Sequence, residues 1–208
     1  MTLIKNEDFK FYIQIPNFIS DDKCDELIKD ISENEVMLKG GVRVDNEQNL
    51  GVNEKFRKTS EWYLCEQPFT NQRPDKPNKD WKSLQEKIFS MAKLVNTKSF
   101  KFDIQGCDNE LKLIKYENTN FYTWHTDMNS GNSSLRKLTA IVQLTDPSEY
   151  EGGELQFALQ DHDMNWYEVP KEKGSITFFP TFLSHRVKPV ISGTRYVLQE
   201  FFIGNHFK

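Results

Sequence analysis

The chain has 208 residues and a mass of 24.5 kDa, with 37% hydrophobic and 28% charged residues, 10 Gly, 8 Pro and a formal charge of −4. That composition excludes collagen-like, low-complexity and wholly disordered classes, and the size fits one domain that buries roughly 70% of its unfolded surface. The Lys and Arg residues are scattered rather than banked, so nucleic acid has no electrostatic footprint here. No apolar run approaches the ~20 residues of a membrane span, and MTLIKNEDFK lacks the pattern of a signal peptide. A soluble, cytoplasmic protein is expected. Cys24, Cys65 and Cys107 are odd in number and show no CxxC spacing, which fits reduced, mostly buried thiols.

In chain order, Ser20 can cap a helix that opens on Asp21 and Asp22, with Cys24, Leu27, Ile28 and Ile31 as its apolar stripe. A second helix is predicted from about Lys79 to Val95, where Trp81, Leu84, Ile88, Met91, Ala92 and Val95 share one face. Between them, Gly40 to Ser60 reads as a long surface loop and a candidate lid. Its Arg43, Lys55, Arg57 and Lys58 suit an acidic or carboxylate-bearing substrate, although Asp45, Glu47 and Glu54 dilute that signal and a solvated loop is the plainer reading. From Leu111 onward come short β-like runs (LKLIKY, LTAIVQL, ELQFAL, SITFF, RYVLQEFFI) separated by turns, which predict a jelly roll with helices packed outside. The expected organisation is one domain over 1–208, with 1–100 as helical support and lid and 101–208 as the jelly-roll core.

Chemistry concentrates at His125 and Asp127 in FYTWHTDMN. Positions i and i+2 of a strand project from one face, so an imidazole and a carboxylate can meet one ion there. Alone this is weak, because four His and fourteen Asp in 208 residues give about one HxD by chance in four such chains. His185, in FPTFLSHRVKPV, can bring a third ligand from a later strand and complete the two-His, one-carboxylate set that holds iron(II) with three positions open. Ten residues on, Arg195 shares a strand face with Val197, Gln199 and Phe201, and a guanidinium aimed into such a face calls for an anion, which a dicarboxylate matches in a two-point pairing. His162 reads as a loop residue and His206 as a tail residue. Trp62, Tyr63, Trp124 and Trp166 read as packing residues that could also line a mouth.

From Leu111 to Gly204 the chain resembles the iron(II)- and 2-oxoglutarate-dependent dioxygenases, in their prolyl-4-hydroxylase-like branch. YENTNFYTWHTD, with Tyr116 and Tyr122 ahead of the HxD, DPSEYEGGELQF, and GSITFFPTFLSHRVKPVISGTRY carry the resemblance. It implies a double-stranded β-helix, iron on His125, Asp127 and His185, and Arg195 on the distal carboxylate of 2-oxoglutarate. It further implies that Tyr116 hydrogen-bonds the co-substrate. Gln143 stands where some relatives carry a Tyr that reaches the same carboxylate. The reaction so implied hydroxylates an aliphatic C–H with release of succinate and CO2, using iron(II), 2-oxoglutarate and O2, with ascorbate as an accessory reductant. A prolyl residue, a lysyl residue or an amino acid is the expected substrate.

Other readings compete with this one. A nucleic-acid demethylase would share the triad, but RYVLQEF lacks the RxNxTxR pattern of that branch. A zinc hydrolase can use the same ligands but leaves Arg195 without a task. A jelly roll that binds metal without turnover and a dioxygenase acting on a non-peptide small molecule complete the set.

Overall fold

A computed structural model describes residues 11–34, 38–40, 42–43, 50–64, 79–108, 111–158 and 166–207. Cys65, His162, Asp45 and Glu47 lie outside them, as do positions 41 and 44–49 of the expected lid.

Both expected helices form. Helix α1 covers Asp21–Asn34; the Ser20 hydroxyl accepts from the Lys23 backbone N–H at 3.3 Å, and Asp21 and Asp22 face the positive end of the helix dipole. Helix α2 covers Lys79–Val95 and buries Trp81, Leu84, Ile88, Ala92 and Val95. The strands are β1 (Ile13–Ile15), β2 (Leu38–Lys39), β3 (Val42–Arg43), β4 (Leu50–Gly51), β5 (Arg57–Lys58), β6 (Ser60–Tyr63), β7 (Gly106–Cys107) and β8 (Lys112–Glu117). They continue as β9 (Phe121–His125), β10 (Arg136–Gln143), β11 (Tyr150–Gly152), β12 (Leu155–Ala158), β13 (Trp166–Glu168), β14 (Ile176–Pro180), β15 (His185–Val187) and β16 (Val190–Ile203).

The larger sheet runs β1-β14-β10-β16-β8-β6-β2, and β7 and β11 also pair with β16. The smaller runs β13-β12-β15-β9-β5, and β3 with β4 makes a hairpin. Alternation along the strands gives the larger sheet two apolar faces. Leu138, Ala140, Val142, Ile176, Phe178, Leu198 and Phe202 pack with the helix stripes. The opposite face gives Ile114, Tyr116, Phe179 and Val197, which join Leu155, Phe157 and Val187 of the smaller sheet in a second core. Two antiparallel sheets with helices on one outer face form the expected jelly roll.

The stretch from Gly40 to Ser60 differs from its expectation. Arg57–Lys58 pairs with β9, and Ser60–Tyr63 pairs with β8, so the end of the supposed lid is sheet. Arg57 and Thr59 are buried. Charged side chains hid these two short strands, because Arg57, Thr59 and Glu61 face a polar interior that hydropathy cannot distinguish from solvent. The front of the chain thus supplies edge strands to both sheets as well as helices.

No helix among the described residues is long and apolar enough to cross a membrane. Cys24 is fully buried, and burial, acting first, pushes its thiol up to about 11, so it packs as a small hydrophobe. Ile88, buried on α2 against the larger sheet, provides a test of this packing. Ile88→Ala should cost about 2–4 kcal/mol in urea unfolding through lost transfer energy and a cavity, whereas a loss below about 0.5 kcal/mol, the size of an ordinary surface change, would mean that the helix face is not core.

Candidate metal centre

His125 and His185 are direct cross-strand partners on β9 and β15. Their rings lie 4.1 Å apart, and Asp127 follows just beyond β9, where its backbone N–H donates to the Thr181 carbonyl at 2.8 Å. One ligand atom from each of His125, Asp127 and His185 falls within 4.8 Å of the others. The three residues are therefore brought together as their spacing anticipated.

Each imidazole is locked by its own strand. His125 Nδ1 donates to the Thr123 carbonyl at 2.7 Å, and His185 Nδ1 donates to the Leu183 carbonyl at 2.8 Å. Both Nε2 atoms are thereby left as lone-pair donors aimed at Asp127, at 3.6 and 3.5 Å from its oxygens. Burial would raise the Asp127 carboxyl, but the facing His185 and His125 and the Thr139 hydroxyl outweigh it and hold the group below the usual carboxylate range. Thr139, fully buried on β10, donates its Oγ1 proton to Asp127 Oδ2 at 2.6 Å. Burial, and then the neighbouring His125, push His185 down to about 4, so its ring is neutral and ready to coordinate at neutral pH.

Arg195 enters the same cavity from β16, directly opposite Tyr116 of β8. The guanidinium carbon lies 5.5 Å from the Tyr116 ring centre, and Nε donates to Gln143 Oε1 at 3.1 Å. Gln143 Nε2 in turn donates to the Thr145 carbonyl at 2.8 Å and the Tyr150 hydroxyl at 3.2 Å. Gln143 therefore binds the arginine and lies beside a separate crevice with Gln14 and Lys171, rather than lining the cavity with the histidines. Burial raises Tyr116 and Tyr122, which stay protonated donors, and the Tyr122 ring stacks on His125 at 3.4 Å. The glycine pair of the EGGEL turn has a steric reason. Gly152 and Gly153 take φ of +80° and +66°, and a Cβ on Gly153 would press on Val190 and on the Arg195 side chain.

Sequence reasoning missed Thr139 and Tyr150 and named Arg57 only among four basic residues of the expected lid. Thr139 was legible from the alternation of LTAIVQL, which puts it on the face of Ile141 and Gln143, and Tyr150 sits in the quoted turn before the glycines. Arg57 had no signal that set it apart from its basic neighbours. Its guanidinium lies 4.5 Å from the Tyr122 ring centre, pairs with Glu61 and lines the cavity. Trp62 packs against the helix-side core. Trp124 stacks on Trp166 at 5.0 Å, on the strand face opposite the one that presents His125. His206 is exposed.

Fold and site define the class: a jelly roll whose interior holds a two-His, one-carboxylate metal site beside a buried arginine. Residues 111–203, which carry all four residues, match the family model described as 2OG-Fe(II) oxygenase superfamily. A PKHD-type hydroxylase of Synechococcus sp. (strain CC9605) is 34% identical over 76 residues, 36% of this chain and 33% of that protein. One of Aliarcobacter butzleri (strain RM4018) is 35% identical over 89 residues, 40% of this chain and 38% of that protein. The chain thus spans little more than a third of the length of these relatives. A Pseudomonas putida prolyl-4-hydroxylase has a similar fold, with a TM-score of 0.67, 16% identity and coverage of 94% of this chain and 93% of that one. So does a Trichoplax adhaerens prolyl hydroxylase solved with a hypoxia inducible factor peptide fragment, with a TM-score of 0.72, 16% identity and coverage of 96% and 85%.

The depressed His185 sets a pH dependence in the metal-free protein. An unfolded imidazole takes a proton near pH 6.5, whereas the folded one refuses it until about 4. The unfolded chain then binds more protons in that window, so the stability present above pH 6.5 is lost as pH falls toward 4. Urea midpoints at pH 7.5 and pH 5 should drop further for the wild type than for His185→Gln; equal drops would show that this histidine does not titrate as described.

Proposed function

We propose that the protein is an iron(II)- and 2-oxoglutarate-dependent dioxygenase that hydroxylates an aliphatic C–H, of a prolyl or lysyl residue or an amino acid. The observation that carries this reading is the convergence of His125, Asp127 and His185 on one cavity into which Arg195 also points. The donor set fits iron(II): two imidazole nitrogens and one carboxylate on one side of an ion leave adjacent positions open. Bound iron and 2-oxoglutarate supply the oxidative chemistry, consuming O2 and yielding succinate, CO2 and a hydroxylated product.

The chain's own residues have positional tasks. Both Nε2 atoms serve as ligands because Nδ1 of each ring is committed to a carbonyl. Asp127 completes the set as an ionised carboxylate, with Thr139 fixing one of its oxygens. Arg195, 4% exposed, and Tyr116 line the cavity where they would hold 2-oxoglutarate, the guanidinium at its far carboxylate and the phenol as a hydrogen-bond donor. Gln143 and Tyr150 hold the guanidinium: Gln143 accepts from its Nε, and Tyr150 hydrogen-bonds both Arg195 and Gln143. Ile114, Leu155, Phe179 and Val187 line the remaining wall and keep water from the reacting centre. Oxygenase relatives with peptide substrates support the prolyl reading; the same machinery serves a lysyl residue or a free amino acid.

Two variants test this assignment. His185→Ala should abolish iron binding measured by calorimetry while far-ultraviolet circular dichroism stays that of the wild type, and undiminished iron stoichiometry would sink the ligand set. Arg195→Lys keeps the charge but loses the fork. It should raise the KM for 2-oxoglutarate about tenfold or more, the scale of one lost charge-assisted hydrogen bond, with little change in iron affinity. An unchanged KM in iron-dependent succinate assays would assign Arg195 a structural role.

A further inference from the structure

A polar groove of about 290 Å³ opens beside the metal cavity, walled by Lys39, Glu54, Lys58, Glu117 and Asn118, and Arg57 lines both spaces. Arg57 is 5% exposed and lies over Tyr122, whose other neighbour is the metal-side ring of His125. The groove therefore leads through one guanidinium to the ligand set.

The charges around it are unequal. Glu61, 1% exposed, serves two cations at once: it pairs with Arg57 and stands 3.5 Å from Lys112, itself 4% exposed. At the rim, Glu54 is taken by Lys39 at 2.7 Å and Glu117 by Lys115 at 2.7 Å. Lys58, the strand neighbour of Arg57, meets neutral oxygens, the Asn118 carbonyl at 3.3 Å and the Thr119 hydroxyl at 3.4 Å. Among the described residues the groove is left with cationic character at its inner end. A buried charge network of this kind is a poor device for stability, since apolar packing of equal volume does as well or better. Beside a metal site it makes a receptor for an anion.

We propose that Arg57 and Lys58 bind a carboxylate next to the carbon that is hydroxylated, so that the substrate is a carboxylate-bearing unit: an acidic residue flanking the target in a peptide, or the carboxylate of a free amino acid. This rests on the oxygenase reading and narrows it. Iron and 2-oxoglutarate bring two positive and two negative charges, so loading the site leaves the cationic surplus in place for the substrate. Both line the groove, Arg57 offering a planar fork at its inner end and Lys58 a point charge at its rim.

The test is equilibrium binding to the iron(II)- and 2-oxoglutarate-loaded protein without oxygen. Proline hexapeptides with Glu or Gln beside the proline form one arm, and free L-proline against L-prolinamide the other. The carboxylate member of at least one arm should bind about tenfold tighter or better, about 1.4 kcal/mol, with the gap shrinking at high salt. The arm that shows the gap identifies the source of the carboxylate. Lys58→Gln, on the rim, should narrow the gap, and Arg57→Gln, where it folds, should close it. Equal affinities within both arms, no detectable binding in either, or a gap untouched by Lys58→Gln would overturn the proposal. Iron-dependent succinate formation without added substrate, measured on the same protein, judges the oxygenase reading separately.

Discussion

The pairing of β9 with β15 is the constraint on which the site depends. His125 and His185 face each other across that ladder, and because side chains alternate with a period of two, a slip of one residue would send one imidazole to the outer face of the smaller sheet. Register is fixed from several directions. Phe157 pairs with His185 from β12, Tyr122 pairs with Arg57 from β5, and the Asp127 and Met128 N–H groups both reach the Thr181 carbonyl at the end of β14. The ladder is irregular between His185 and Val187, where Thr123 and Trp124 of β9 oppose the single residue Arg186 of β15. Such irregularities re-aim side chains beside functional sites. Here the result is that His125 and Asp127 both point inward as the chain leaves the strand.

Arg195 presents the complementary difficulty, a cation that must stay buried without collapsing onto the nearest acid. Its Nε is committed to Gln143, which is itself held by Thr145 and Tyr150, and the carboxylate of Asp127 is held by Thr139 and the two histidines. Cation and anion are thus each satisfied separately, at opposite sides of one cavity. A direct pair between them would neutralise both and leave neither for a ligand. Gly153 belongs to the same arrangement, because a side chain there would occupy the path of the Arg195 stem.

Legibility in the sequence followed the strength of the pattern. Helix α2 was visible as a six-residue stripe and α1 as a cap with its stripe, since water-facing helices must show period 3.6. The triad and Arg195 were visible because metal ligands and buried guanidinium groups are chemically rare on strand faces. Arg57 was visible only as one of four basic lid residues, and Glu61 and Lys112 not at all, because a buried ion network carries the same letters as a solvated loop and only the fold brings its members together. Gln143 was half legible. Its position was found from the resemblance, whereas the geometry turns it toward the arginine instead of the cavity.

A division of labour follows from where these residues lie in the chain. Every group assigned to iron and 2-oxoglutarate lies within 111–203, the stretch that matches the oxygenase family. The basic pair proposed for the substrate, Arg57 and Lys58 of β5, and their partner Glu61 of β6 come from outside that stretch. Chemistry common to the family needs fixed ligands, and the central strands provide them, anchored on both sides. Discrimination between substrates needs a surface that can vary without disturbing those ligands, and an edge strand bonded on one side to β9 has that freedom. One link between the two parts is a stack, Arg57 on Tyr122 on His125, so a ligand that reorders the guanidinium acts on the metal-side imidazole through one aromatic ring.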